Sequence, residues 1–216
     1  MTRYKARDRE MIRRIVIIYA VGVIGFTIPF THGLFMMLTP LVLLLSLALL
    51  YWYDHDRSRG RQGKRILFYA FVFIASFLVE MWGVNSGVVF GSYLYGSGLG
   101  VKIAGTPLMI GLNWVLMIYL TSAIFTSLHR NVLNGILFPS LLMVGYDLIL
   151  EQVAPKMDMW SWANDRIPLQ NYLMWGVLSL LFHTVRYLLI IGDRNRMALP
   201  VYLVQLLFFL LIFLLN

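Results

Sequence analysis

Residues 107–128 read PLMIGLNWVLMIYLTSAIFTSL, a run of twenty-two residues without one charged side chain. At about 1.5 Å of rise per residue, such a run spans the ~30 Å hydrocarbon core of a bilayer as a single helix. Six further segments repeat the pattern: Arg14–Phe30, Leu34–Tyr53, Ile66–Trp82, Val132–Glu151, Asn171–Ile191 and Leu199–Leu215. The first is short and carries Pro29 near its end. The expected fold is therefore all-α, a polytopic membrane protein of seven transmembrane helices forming one domain over residues 1–216. Composition agrees. Hydrophobic residues make up 60% and charged residues 13%, where a soluble domain runs nearer half and a quarter. The mean hydropathy is +0.75.

The net charge of +8 does not point to nucleic acid, because the basic residues sit in short blocks between the apolar runs. Fifteen of them lie at one set of helix ends: Arg3 to Arg14, Arg57 to Arg65, Arg130, Arg186, Arg194 and Arg196. Only Lys102, Lys156 and Arg166 lie at the other. Cytoplasmic loops carry the lysine and arginine excess. The N-terminus is thus expected in the cytoplasm and the C-terminus outside, across the inner (cytoplasmic) membrane, with an odd number of spans. The run after Arg14 continues without a small-x-small site, so it reads as a first span and not as a cleaved signal.

Several chemistries are excluded. With no cysteine there is neither disulfide nor thiolate metal site. His32, His55, His129 and His183 are scattered, without the clustering of a di-iron oxygenase, and no metal site is expected. No lysine lies in a span, which rules out a retinal Schiff base. Aspartate-rich motifs for magnesium diphosphate are missing.

Two long outer loops separate the third from the fourth helix and the fifth from the sixth: GVNSGVVFGSYLYGSGLGVKIAG (83–105) and QVAPKMDMWSWANDRIPLQ (152–170). Long loops in compact domains are often functional. Each follows a helix ending in acid, Glu80 in one case, Asp147 and Glu151 in the other. Each is aromatic and closes on a proline, with a tryptophan seven residues later: Pro107 to Trp114, Pro168 to Trp175. An asparagine falls between, Asn113 and Asn171. This layout suggests a parallel repeat of a helix pair. Residues 83–90 either extend the third helix or re-enter the membrane. Gly83, Gly87 and Gly91, every fourth residue, read as close helix packing. GSGLGVK resembles a phosphate loop but lacks the Gly-Lys-Ser/Thr ending.

Glu80 lies about fifteen residues beyond Arg65, some 22 Å up an outward-running helix. Asp147 reaches a similar height, and Glu151 stands one turn above it on the same face. Three carboxylates from two helices can thus converge beneath two aromatic loops. Charge within a membrane is costly and marks a functional site by default. Close carboxylates do not both ionise cheaply, so one is expected to keep its proton and donate it. Glu151 reads equally as an interfacial group in water. Trp160 and Trp162 read equally as interface-belt or ligand-facing residues. Elsewhere, Asp54, His55 and Asp56 are expected to be solvated, His183 to be a satisfied histidine and Arg186 to snorkel. Pro139 is expected to kink its helix, and the last helix, apolar nearly all round, to face lipid or a second subunit in a homo-oligomer.

The two loop regions resemble the signature regions of the integral-membrane carotenoid biosynthesis family, which includes hydratases of γ-carotene, lycopene and bisanhydrobacterioruberin. The first region matches at Glu80, Gly83, Gly87, Phe90, Gly91, Tyr93, Tyr95, Gly100, Pro107 and Trp114. The second matches at Asp147, Pro155, Trp160, Trp162, Pro168, Asn171 and Trp175. It departs at Arg166 and Met174, where the family pattern has glycine, and at Gln152. The resemblance implies cofactor-free hydration of a terminal isoprenoid double bond in a carotenoid. In that reading Asp147, Glu80 and Glu151 are catalytic, and Tyr93, Tyr95, Trp114, Trp160, Trp162, Asn171 and Trp175 bind substrate. A cyclase running through the same carbocation is the rival within this chemistry, and a proton-coupled carrier is the rival outside it.

Overall fold

A computed structural model describes residues 6–54, 62–126 and 131–215. Seven α-helices occupy them: α1 (Ala6–Thr27), α2 (Pro29–Trp52), α3 (Gln62–Ser86), α4 (Leu108–Phe125), α5 (Phe138–Val153), α6 (Leu169–Leu188) and α7 (Ala198–Leu215). Four short strands complete the fold: β1 (Tyr93–Tyr95), β2 (Lys102–Ile103), β3 (Thr106–Pro107) and β4 (Trp160–Trp162). Helices α2, α3, α4 and α7, and α5 together with the turn before it, are long and apolar enough to cross a membrane. Leucines on α2 and α7, such as Leu41, Leu45, Leu203 and Leu207, point outward, which suits lipid.

The uncharged run at residues 107–128 becomes the central helix, α4. Every side chain of α4 from Leu116 to Ala123 is buried, because α4 packs against α3, α5 and α7. A helix apolar on all sides belongs in such a position. The last helix differs from its expectation. One face of α7 (Val201, Gln205, Phe208, Ile212) packs inward against α1, α4 and α5, and only the other is open.

Two helix ends also differ. Pro29 does not finish the first helix but starts the second, and α1 begins as early as Ala6. A proline forces the residue before it out of the helical region. Ile28 accordingly sits at φ −86°, ψ 118° as the one-residue break, and proline's fixed φ suits the first turn that follows. Helix α3 runs on to Ser86, so residues 83–86 extend it. Gly87 then stops it at φ +68°, donating its N–H to the Gly83 carbonyl. Pro139 is accommodated by a π turn at Leu133–Leu137, which widens the backbone just before the ring.

The end of the bundle holding Arg65 and Arg186 is closed by an ion cluster that the sequence reading did not foresee. Asp193, fully buried, accepts from Arg65 Nε (2.9 Å), Arg186 Nε (2.7 Å) and the Tyr69 hydroxyl (2.8 Å). Arg65 also pairs with Asp54. Asp54 is therefore buried and not solvated, and Arg186 is held inside instead of snorkelling. His55 and Asp56 lie outside the described residues. His183 is a satisfied histidine, sharing contacts with Thr121, Ser140 and Ser179 across α4, α5 and α6.

Candidate functional site

The two long loops meet at the opposite end. Strands β1 and β4 pair antiparallel, with Tyr93 opposite Trp162, Leu94 opposite Ser161 and Tyr95 opposite Trp160. Successive strand residues point to opposite faces. Tyr93, Tyr95, Trp160 and Trp162 therefore all face the bundle and are buried, while Leu94 and Ser161 face out. Both tryptophans, which also read as interface-belt residues, sit on the inner side.

Beneath the ribbon stand the three acids, all buried. Glu151 is 2% exposed, so it is not an interfacial group in water; Glu80 is 4% and Asp147 0% exposed. Glu80 Oε2 accepts from the hydroxyls of Tyr93 (2.8 Å) and Tyr95 (2.7 Å), and its Oε1 from Trp114 Nε1 (3.0 Å). Glu151 Oε2 accepts from Trp160 Nε1 (2.9 Å) and Trp162 Nε1 (2.6 Å), and its Oε1 from Asn171 Nδ2 (2.8 Å). Each glutamate is thus gripped by three donors, two of them from its own strand. Hydrogen bonds donated to a carboxyl favour its ionised form. Burial and the neighbouring Glu80 carboxylate push the Tyr93 and Tyr95 hydroxyls well above the usual phenol range, so both remain neutral donors.

Asp147 is held differently. Its Oδ2 accepts one long bond from Asn171 Nδ2 (3.3 Å), and its Oδ1 has no hydrogen-bond partner. A buried carboxyl oxygen without a partner costs about 1–3 kcal/mol or more.

The suggested repeat is visible in this geometry. An antiparallel ladder is two-fold symmetric, and the axis through Leu94 and Ser161 relates Tyr93 to Trp160 and Tyr95 to Trp162. Pro107 and Pro168 cap α4 and α6 with nearly equal backbone angles, φ −66°, ψ 137° and φ −69°, ψ 141°. Trp114 and Trp175 stack on each other, with ring centroids 4.4 Å apart and planes 23° from parallel. Two positions break the symmetry. Four residues before each glutamate, the second unit has Asp147 and the first has Ser76. Three residues after each proline, the second has Asn171 and the first has Ile110, not Asn113. The linked polar pair Asp147–Asn171 therefore belongs to one half only.

A cavity of about 10 Å³ lies between the halves, lined by Glu80, Tyr93, Tyr95, Glu151, Trp160 and Trp162 among others. That is close to the space one water needs. Phe90, one of the positions that carry the family resemblance, also lines it, as does Ile110, which was not singled out from the sequence. Ile110 was findable as the repeat counterpart of Asn171. Asp147 is within reach of this group through Asn171, which bonds both Asp147 and Glu151.

A clasp closes the ribbon's edge. Asp158 Oδ2 accepts from the Ser97 N–H (2.7 Å) and the Ser97 hydroxyl, and the Gly98 N–H donates to the Asp158 carbonyl (2.7 Å). A Cβ at residue 96 would run into Asp158, so glycine is required there. The GSGLGVK stretch thus serves the clasp. Its Lys102 donates to the Tyr95 carbonyl (2.6 Å). The Ser97 hydroxyl holds the Asp158 carboxyl below its ordinary value of 3.8. A depressed folded value means the clasp's contribution is present above that ordinary value and fades as pH falls through the depressed one. Amide exchange at Ser97 is expected to lose protection in strong acid, and Asp158→Ala, which removes the acceptor, is expected to lose it at neutral pH too. Equal protection in variant and wild type at neutral pH would remove Asp158 from the clasp.

Searches of curated proteins and of solved structures each return no match. The family profile described as carotenoid biosynthesis protein matches residues 31–216, from the start of α2 through both acid-bearing units to the end of the chain. This chain, whose two aromatic loops pair over its buried acids, belongs to the carotenoid biosynthesis protein family.

Proposed function

We propose that the chain is a carotenoid end-group hydratase, adding water to a terminal isoprenoid double bond by acid catalysis. The observation that carries this reading is Asp147, a fully buried carboxyl with one oxygen unpartnered, beside two carboxyls that are each saturated by donors. Asp147 protonates the alkene. Its proton forms the new C–H bond at the terminal carbon, and the positive charge falls on the tertiary carbon. Glu80, Glu151 and the π faces of Tyr93, Tyr95, Trp160 and Trp162 stabilise that cation. Water then forms the C–O bond, and the proton it loses restores the acid, so no cofactor is required. The apolar polyene lies between helices with its end beneath the ribbon. A groove of about 340 Å³ among α1, α2 and α7, lined partly by Met157 and Met159 just before Trp160, gives it room. The lysine and arginine distribution supports an inner-membrane protein whose ribbon faces outward.

The test is pigment analysis after expression in cells that accumulate lycopene or γ-carotene. A product heavier by one water is expected. A shifted product of unchanged mass would mean that an internal double bond captures the cation, which makes the chain a cyclase. Unaltered pigment beside folded protein would sink both readings for these substrates and leave the carrier.

A further inference from the structure

The two-fold axis of the ribbon equates side chains of unlike chemistry: Tyr93 with Trp160, and Tyr95 with Trp162. Holding a glutamate does not demand the difference. All four side chains do the same structural task, donating one hydrogen bond to the carboxylate of their own unit. What differs is what each has left over. An indole N–H donates and has no lone pair to offer. A phenol that donates its proton still carries lone pairs, so it can accept from a water and pass a proton on.

We propose that Tyr93, Tyr95 and Glu80 form the water-handling half of the site, and that this half decides hydration against any other fate of the cation. The assignment rests on the hydratase reading above. The cavity between the halves has room for about one water, and Glu80 and both tyrosines line it. A water there donates to a phenol oxygen and turns a lone pair towards the tertiary carbon. As the C–O bond forms, one water proton moves to the phenol oxygen and the phenol's own proton moves to Glu80 Oε2. Asp147, having given its proton to the alkene, is then ionised and Glu80 is protonated. Return of that proton from Glu80 to Asp147 resets the site, and the balance is alkene plus water to alcohol. The Trp160 and Trp162 rings face the cation and, with no lone pair to offer, take no proton from the water. The Trp162 ring lies 5.0 Å from that of Tyr93, so cation and water sit side by side.

The test is the double variant Tyr93→Phe/Tyr95→Phe in pigment-accumulating cells, beside wild type and Asp147→Asn. Substrate is expected to be consumed still, but with hydrated product lowered about 100-fold, the low end for a lost proton relay. Products of unchanged mass should rise in its place, since the cation then loses a proton or cyclises. If the double variant does not accumulate, the single variants are read instead, and the one that removes the relaying phenol is expected to lower the hydrated share while the other leaves a hydroxyl on Glu80. An unchanged hydrated share overturns the assignment while the hydratase reading stands. Loss of all conversion in folded phenylalanine variants also overturns it, because the tyrosines would then act at protonation. No hydrated product from wild type overturns the hydratase reading itself, and this assignment with it.

Discussion

Asp147→Asn is expected to lower product formation by at least about 100-fold, the low end for removal of a general acid, in a protein that folds and inserts normally. The substitution keeps the shape of the side chain and keeps an oxygen for Asn171 Nδ2 to find. It places an amide N–H₂ where Oδ1 now has no partner, so one orphaned polar group replaces another. Stability is therefore a poor explanation for any loss. The repeat supplies the internal comparison. Ser76 occupies the equivalent place on α3, is fully buried, and is content with the Phe73 carbonyl. A bundle of this shape does not need an acid at that position to fold. The measurement is product by chromatography and mass spectrometry per unit of folded protein. Glu80→Gln makes a useful companion. Tyr93 and Tyr95 can turn their hydroxyls to accept from the new amide, leaving the amide oxygen for Trp114. Full activity in Asp147→Asn would remove that residue as the acid.

Much of this was legible in the chain, for identifiable reasons. Helices are announced by apolar length, so all seven were foreseen, though among the described residues only five are long and apolar enough to cross a membrane, α1 and α6 not being among them. Their ends were less clear, because proline at position 29 terminates one helix and starts the next within a single residue. Convergence of Glu80, Asp147 and Glu151 followed from helical rise and period, which depend on nothing distant. Which donor holds which oxygen did not. That requires the pairing of Tyr95 with Trp160 across sixty-odd residues of chain, and short strands of three residues carry almost no periodic signal. The tyrosines and tryptophans were noticed as aromatic, but their opposition about a two-fold axis is a property of the folded ribbon. The Asp193 cluster was missed for another reason. Asp54, Arg65, Arg186 and Asp193 each stand near a span end among other charges, where solvation is the ordinary expectation.

Asp193→Asn is expected to destabilise the fold by about 3–5 kcal/mol, the usual cost of removing one member of a buried ion pair. The geometry explains why an amide is a poor substitute. Oδ1 accepts from Arg65 Nε, and Oδ2 accepts from Arg186 Nε and the Tyr69 hydroxyl. Whichever way an asparagine amide turns, its N–H₂ meets an arginine N–H that can only donate. Tyr69 can reverse its hydroxyl, but neither guanidinium can. Arg65 retains Asp54. Arg186, 5% exposed, is left with the Thr126 hydroxyl at 3.2 Å and an uncompensated charge. Domains are held by only about 5–15 kcal/mol in total, so the thermal midpoint in detergent should fall by many degrees. Asp54→Asn should cost less, because Arg65 keeps Asp193 and the cluster keeps its centre. The acid cradle is at the far end of the bundle, so the folded fraction of Asp193→Asn should retain wild-type product formation per molecule. A midpoint close to wild type would show that water reaches these arginines and that the cluster is not the seal described here. Lost activity at full folded yield would show instead that the two ends of the bundle are coupled.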